Sequence, residues 1–339
     1  YWQDVENCVF GRIDGDVFGI CFPKDEKKLN GFILYIKREL KKYKAAYYLE
    51  TAMGIYDILD NNLDVRNIIA RATLAAKQCK GQYMIHEARY TEELRAKIIR
   101  EQNIINEMEH ALETGEFVVY FQPKYELDHC RPSGAEALVR WKSPDQGFLS
   151  PGEFIPLFEK NRFIVKLDQF MFTSVCGLLR QWLDAGIEPR PLSVNVSRMQ
   201  FHTPDFVERY IRIKSLYAIP DGLLELEFTE SIFFDNVALL SSAVHELRRA
   251  GIKCSIDDFG AGYSSLNVLK ALPVSVLKLD GMFFRTAKDD EQAKIVIRNI
   301  MRMAGELKMA TVAEGVETHE QVAFLETTAV SYTHLRAHE

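Results

Sequence analysis

The stretch Ser255-Ile256-Asp257-Asp258-Phe259-Gly260-Ala261-Gly262-Tyr263-Ser264-Ser265-Leu266 places two adjacent carboxylates at the end of a short apolar run. Successive strand residues point to opposite faces, so neighbouring carboxylates serve one site only where the strand ends and the backbone turns. That is also where β/α enzymes collect their chemistry. On its own the pair equally suits a βα turn with an aspartate helix cap. Other polar residues end apolar runs elsewhere: Gln122, Glu136 and Arg140, Asn195, Glu227 and Glu230, Lys278 and Asp280, Glu314 and Glu317. Gathered at one mouth, so many acids would repel one another unless a cation held them. The donor set is all oxygen, without cysteine or histidine, which fits Mg²⁺ or Mn²⁺ better than zinc. Adjacent Asp257 and Asp258 suit a bridged pair of ions, as in two-metal hydrolysis of phosphate esters. Lys278, between Leu277 and Leu279 in a β run, would face the same interior and offer charge to a phosphate oxygen or orient the attacking water.

Positioning these residues needs alternating strands and helices. The runs Phe117 to Phe121, Ala135 to Trp141, Leu192 to Val196, Leu223 to Phe228, Lys253 to Ile256, Val274 to Leu279 and Met309 to Ala313 read as strands. Between them lie amphipathic stretches such as Leu167 to Ala185, Val237 to Ala250 and Glu291 to Leu307. This alternation predicts a (β/α) barrel. No G-x-G-x-x-G opens a helix after the first strand, so a dinucleotide-binding fold has little support.

Composition sets outer bounds. The 339 residues carry a net charge of -6, which gives no reason to expect a nucleic-acid polymer as partner. No run of about 18 apolar residues marks a membrane span. The six cysteines are scattered without a C-x-x-C pair and read as free thiols of a reducing compartment. The expected location is cytoplasmic, with any membrane anchor left to a segment before Tyr1.

Residues 1–88 read as a hairpin, a lysine-rich helix (Glu26 to Lys42), a strand and a further helix (Asp64 to Cys79), an α+β pattern. Gly11-Arg12-Ile13-Asp14-Gly15-Asp16-Val17-Phe18 resembles the signature hairpin of GGDEF domains, the diguanylate cyclases, and Ala75-Ala76-Lys77 with Lys80-Gly81 is similar to the end of that domain. The resemblance covers its second half, and Val17 stands where the family has an acid. A valine neither holds a metal ion nor accepts a proton, so a cyclase-like module without cyclase activity is expected. Residues 89–112, with Leu94, Ile98, Ile105, Met108 and Leu112 near helical spacing, read as a linker helix that pairs with its own copy or packs on one neighbour.

Residues 113–329 resemble the EAL family of cyclic di-GMP phosphodiesterases. Glu136-Ala137-Leu138 carries the signature tripeptide, and Ser193-Val194-Asn195-Val196-Ser197, Glu227-Phe228-Thr229-Glu230-Ser231, Asp257-Asp258-Phe259-Gly260-Ala261-Gly262, Lys278-Leu279-Asp280 and Glu314-Gly315-Val316-Glu317 follow in family order. The resemblance implies a TIM-like (β/α)8 barrel that hydrolyses cyclic di-GMP to linear pGpG with Mg²⁺ or Mn²⁺. It implies metal ligands at Glu136, Asn195, Glu227, Asp257 and Asp258, and catalytic roles for Glu136, Lys278, Asp258 and Glu314. It implies substrate contacts at Gln122, Arg140, Leu138 and Glu317. Glu230, Phe259 and Gly260 would couple the loop after the fifth barrel strand to a homodimer contact. The alternative is a catalytically inactive cyclic di-GMP receptor or protein-interaction module.

The family pattern breaks after Glu326. Residues 330–339, Val-Ser-Tyr-Thr-His-Leu-Arg-Ala-His-Glu, resemble a translated sequencing adaptor, with a substrate-site glutamine expected near His334. On this reading the last strand of the barrel is missing, two strand edges lie open, and the chain as written is poorly soluble or inactive.

Overall fold

The computed structural model describes residues 7–42, 51–79, 87–127, 131–230, 232, 237–260, 269, 273–286, 290–328 and 332–335. The chain divides into two units, Tyr1–Asn103 and Ile104–Glu339.

In the first unit, β1 (Val9–Asp14) and β2 (Val17–Cys21) form an antiparallel hairpin. It turns at Gly15, whose φ of 45° lies in the left-handed region that glycine enters without a Cβ clash. Helix α1 (Glu26–Lys42) follows, and β3 (Met53–Ile55) pairs in parallel with β4 (Glu87–Arg89). Helix α2 (Val65–Cys79) lies directly on β3: a Cβ on Gly54 would stand 1.7 Å from the Ala72 carbonyl oxygen. Arg89 joins these elements, 3.0 Å from Asp57 Oδ2 and 2.9 Å from Glu26 Oε2. The expected elements of this unit are present; Ala45 to Glu50, and Lys80 with Gly81, lie outside the described residues.

The second unit is a barrel. Helix α3 (Glu92–Thr114) enters it and, from Ile104 on, buries Ile104 and Ala111 among Phe117, Trp141, Phe154 and Phe158. The strands are β5 (Phe117–Glu126), β6 (Pro132–Ser143), β7 (Gly147–Leu149), β8 (Leu192–Asn195), β9 (Leu224–Thr229), β10 (Lys253–Phe259), β11 (Val276–Leu279), β12 (Ala310–Val316) and β13 (Tyr332–Leu335). Their order in the sheet is β5-β13-β12-β11-β10-β9-β8-β6-β7, and β5 also pairs with β6, so every strand but β7 joins a closed ring. All neighbours from β6 through β8 to β13 run parallel, while β5 runs antiparallel to both β6 and β13.

The wall of helices explains the apolar strands. Helix α4 (Pro151–Asn161) follows β7, and helices α5 (Ile164–Asp184), α6 (Phe206–Leu216), α7 (Val237–Arg249) and the helix Glu291–Glu306 share one core with the outward residues of the strands. Leu226, Phe228, Ile256, Leu277 and Leu279 belong to that core. Alternation then turns Glu225, Glu227, Asp257 and Lys278 toward the lumen.

The missing last strand is a correction. Tyr332–Leu335 pairs in parallel with β12 and antiparallel with β5. Without it both strands would present unpaired rows of N–H and C=O groups. Four residues in extended conformation satisfy both rows, whatever larger pattern they interrupt.

Candidate functional site

Five lumenal side chains meet at one level of the barrel. Glu136 comes from β6, Glu227 from β9, Asp257 from β10, Lys278 from β11 and Glu314 from β12. The Lys278 ammonium lies 3.2 Å from Glu136 Oε2, 3.0 Å from Asp257 Oδ1 and 2.7 Å from Glu314 Oε1, and it also holds Glu227 Oε2. Asn195, at the end of β8, donates from Nδ2 to Glu136 Oε1 at 2.6 Å. The parallel register makes this convergence possible: Asn195 pairs with Glu227, and Ser255, two residues before Asp257, also pairs with Glu227.

The charges are strongly perturbed. Burial favours the neutral form of Asp257 and raises its carboxyl far above the usual range; Lys278 opposes this, and the other carboxylates add to it. Glu136 is raised by burial and by Glu227, against Lys278. Glu314 is raised by burial in the same way, again against Lys278. Glu227 is the exception. Burial opposes its charge too, but Lys124 and Lys278 outweigh burial and hold its carboxyl well below the usual range. Burial alone would lower Lys278; four carboxylates around it raise it well above an ordinary lysine.

Asp257 and Asp258 reach one site because the strand breaks its alternation between them. Asp258 has a φ of 53°, left-handed for a residue with a Cβ, and the β10–β11 register shifts between Ile256 and Phe259. Aspartate tolerates this conformation better than most residues, and bulges next to sites re-aim side chains. The Asp258 N–H donates to Asp257 Oδ1 at 2.9 Å. Burial and the nearby Asp280 raise the Asp258 carboxyl. Asp280 itself accepts the Met282 N–H at 2.6 Å and so caps a short helix, Met282–Thr286.

Beyond the pair, Phe259 is buried and the Gly260 N–H donates to buried Glu230 at 3.1 Å. Gly260 has a φ of 96°, and a Cβ there would stand 2.0 Å from the Phe283 ring. Gly260→Ala is expected to cost about 1–3 kcal/mol through backbone strain and overpacking. An unchanged thermal midpoint would contradict this. The rest of the expected loop, from Ala261 to Leu266, lies outside the described residues.

The expected substrate residues divide. Gln122 on β5 pairs directly with Glu136, Tyr120 with Leu138, and Val118 with Arg140. Paired residues share a face, so Gln122, Leu138 and Arg140 line the lumen side at and above Glu136. The Arg140 guanidinium lies over the Tyr120 ring, 5.9 Å from its centroid. Glu317 is exposed beyond β12, its N–H donating to Gln321 Oε1 at 2.7 Å at the start of the helix His319–Glu326. It belongs to neither acidic group of the site.

Three buried polar residues escape the strand-end pattern. Lys124 and Glu225 lie one layer below the cluster, 3.5 Å apart. Asp168, on α5, accepts the Ser197 N–H at 3.0 Å and the Gln200 amide at 3.3 Å, tying down the segment that follows Asn195. Burial pushes its carboxyl up to about 7, against those two hydrogen bonds. The folded value exceeds the unfolded one, so Asp168 favours folding while protonated, and that contribution is lost as pH rises from about 4 to about 7. Asp168→Asn is expected to flatten the decline of unfolding free energy across this window, measured by urea titration; an unaltered slope would refute it.

The site can hold cations. Glu136, Glu227 and Asp257 form one group of oxygen donors, and Asp257, Asp258 and Glu314 a second, with ligand atoms in each group within 4.8 Å of one another. Asp257 is common to both, and the donors are those of a hard divalent ion. Among the described residues, Cys8, Cys21, Cys79, Cys176 and Cys254 are free thiols, and none belongs to either acidic group. No helix among the described residues is long and apolar enough to cross a membrane.

Comparisons with known proteins bear on the family. Residues 105–333 match the model of the EAL domain. The chain is 33% identical over 275 residues to the cyclic di-GMP phosphodiesterase PA2567 of Pseudomonas aeruginosa, covering 81% of this chain and 47% of that protein. It is 30% identical over 324 residues to the cyclic di-GMP phosphodiesterase NbdA of the same organism, covering 94% of this chain and 41% of that one. The chain thus spans less than half the length of these relatives. Among solved structures, the PaMucR phosphodiesterase in complex with c-di-GMP superposes with a TM-score of 0.65 at 34% identity, over 69% of this chain and 94% of that one. The chain belongs to the EAL domain family.

Proposed function

We propose that the barrel unit hydrolyses cyclic di-GMP to linear pGpG in second-messenger signalling and that it needs Mg²⁺ or Mn²⁺ to do so. One observation carries this reading: every acid of the expected set is present, and the inward ones converge on Lys278. Glu136, Asn195, Glu227 and Asp257 would hold one cation, with Asp258 and Glu314 completing a second position. Divalent cations held there would supply positive charge against the phosphodiester oxygens and lower the pKa of bound water. Asn195 gives its amide N–H to Glu136, which leaves its carbonyl oxygen as the ligand atom. Where Asp258 and Glu314 face the attacking water and not a cation, their carboxylates can take its proton. Lys278 brings an ammonium to the same point and can hold a phosphate oxygen or orient that water. Arg140 offers a planar guanidinium to a phosphate, Gln122 an amide, and Leu138 an apolar surface to a base.

The same reading assigns a homodimer through the barrel unit, with the Glu230–Gly260 contact as its link to the metal site. The first unit is assigned no cyclase activity, since Val17 replaces the acid that such chemistry needs. Purified protein with Mg²⁺ or Mn²⁺ is expected to convert cyclic di-GMP to pGpG, and a chelator to stop it. Tight binding without product would establish the receptor instead.

A further inference from the structure

Lys124 stands on the same face of β5 as Gln122, one step deeper in the lumen, and is buried. Its ammonium lies 2.8 Å from Glu227 Oε1 and 3.5 Å from Glu225 Oε1. In the ring, β5 neighbours β6 and β13 and not β9, so this bridge crosses the barrel interior. Glu225 and Glu227 are two residues apart on β9 and share its inward face. The other oxygen of Glu227, Oε2, is the one that meets Lys278 in the acidic cluster. Two ammonium groups from different strands therefore divide the two oxygens of one carboxylate between them.

We infer that Lys124 is a positioning residue that makes Glu227 a one-oxygen ligand, by holding Oε1 below the site and presenting only Oε2 to a cation. The inference rests on the metal reading of the proposed function. Among the described residues, Lys124 pairs with Glu225 and Glu227 and with no other member of the acidic groups. Glu225 completes the device, because it balances Lys124 from below without offering an oxygen to the cluster.

The number of oxygens that a carboxylate gives selects the ion. Ca²⁺ takes six to eight oxygens and accepts two from one carboxylate, whereas Mg²⁺ demands a near-ideal octahedron. A Glu227 restricted to one oxygen thus favours the smaller ion. If Oε1 were released, the site would accommodate the larger one.

The test is calorimetric titration of the full chain with Mn²⁺ and with Ca²⁺, without nucleotide. Lys124→Met combined with Glu225→Gln removes the hold while keeping the barrel floor uncharged. The preference for Mn²⁺ over Ca²⁺ is expected to fall by about tenfold or more, the scale of lost outer contacts to a metal ligand. A folded double variant with the wild-type preference would overturn the inference. Glu225→Gln alone leaves Lys124 on Oε1, so its preference should stay at the wild-type value. A drop in that variant of the size expected for the double variant overturns the inference as well, even if the double variant does not fold. A wild-type chain that makes no pGpG, yet loses its ion preference in the double variant, would refute the phosphodiesterase reading and leave this inference standing.

Discussion

Lys278→Met is expected to lower stability at neutral pH by about 3–5 kcal/mol, the cost of removing one partner from buried charges. The ammonium is fully buried and touches Glu136, Glu227, Asp257 and Glu314 together. Without it these carboxylates face one another with only Lys124 nearby. They then ionise less readily in the folded chain: the pKa values of Glu136, Asp257 and Glu314 rise further above those of the unfolded chain, and Glu227 loses one of the two ammonium groups that hold it down. A raised carboxyl pKa favours folding at low pH and costs stability as pH rises. The loss should therefore be larger at pH 8 than at pH 5, and millimolar Mg²⁺ should restore part of it by supplying the cation. Urea titrations at both pH values, with and without Mg²⁺, measure this. An equal loss at both pH values with no effect of Mg²⁺ would mean that Lys278 acts by packing alone.

Glu136→Ala is expected to reduce pGpG formation by about 10³-fold, the scale seen when one group that stabilises a charged transition state is removed. Glu136 joins Asn195 to Lys278, so its loss takes away a donor oxygen and frees two neighbours at once. Glu136→Gln keeps the volume and removes the charge. If charge is what matters, both variants fail alike; if Gln retains activity, Glu136 is a spacer and not a ligand. Product chromatography with purified protein and Mn²⁺ decides between them.

Much of this site is legible in the sequence because strand ends are. An acid after a run of apolar residues marks the end of a buried strand, and parallel strands bring such ends to one mouth. Glu227, Asp257 and Glu314 follow from that rule, Asn195 as the amide that ends β8 and Lys278 from its alternation with Leu277 and Leu279, while Glu136 lies inside β6; all six lie together. Lys124 does not, since Tyr120, Gln122 and Lys124 alternate with apolar residues as on any half-exposed strand. Glu225 is hidden in the same way, in Leu223-Leu224-Glu225-Leu226-Glu227. Their burial follows from a pair formed across the barrel, a non-local fact that no window of sequence contains. Asp168 lies inside an amphipathic helix, where an acid reads as solvated; its partners are on the segment after Asn195. The closing strand was hidden for a different reason. Tyr332–Leu335 is too short and too foreign to the family pattern to announce itself, and two unpaired edges supply what its own pattern lacks. Glu317 follows the strand rule too, but it lies exposed just beyond β12, with its N–H on Gln321 Oε1.

The left-handed backbone at Asp258 shapes how this protein can drift over generations. Asparagine enters that conformation as readily as aspartate, and a change from one to the other needs a single base in the gene. Asp258→Asn would therefore remove a charge and leave the turn, the bulge and Asp257 where they are. At most other positions of the cluster, loss of the acid also disturbs a buried ion pair with Lys278. On the proposed phosphodiesterase reading, position 258 is thus a place where turnover is lost while the fold around it stays intact.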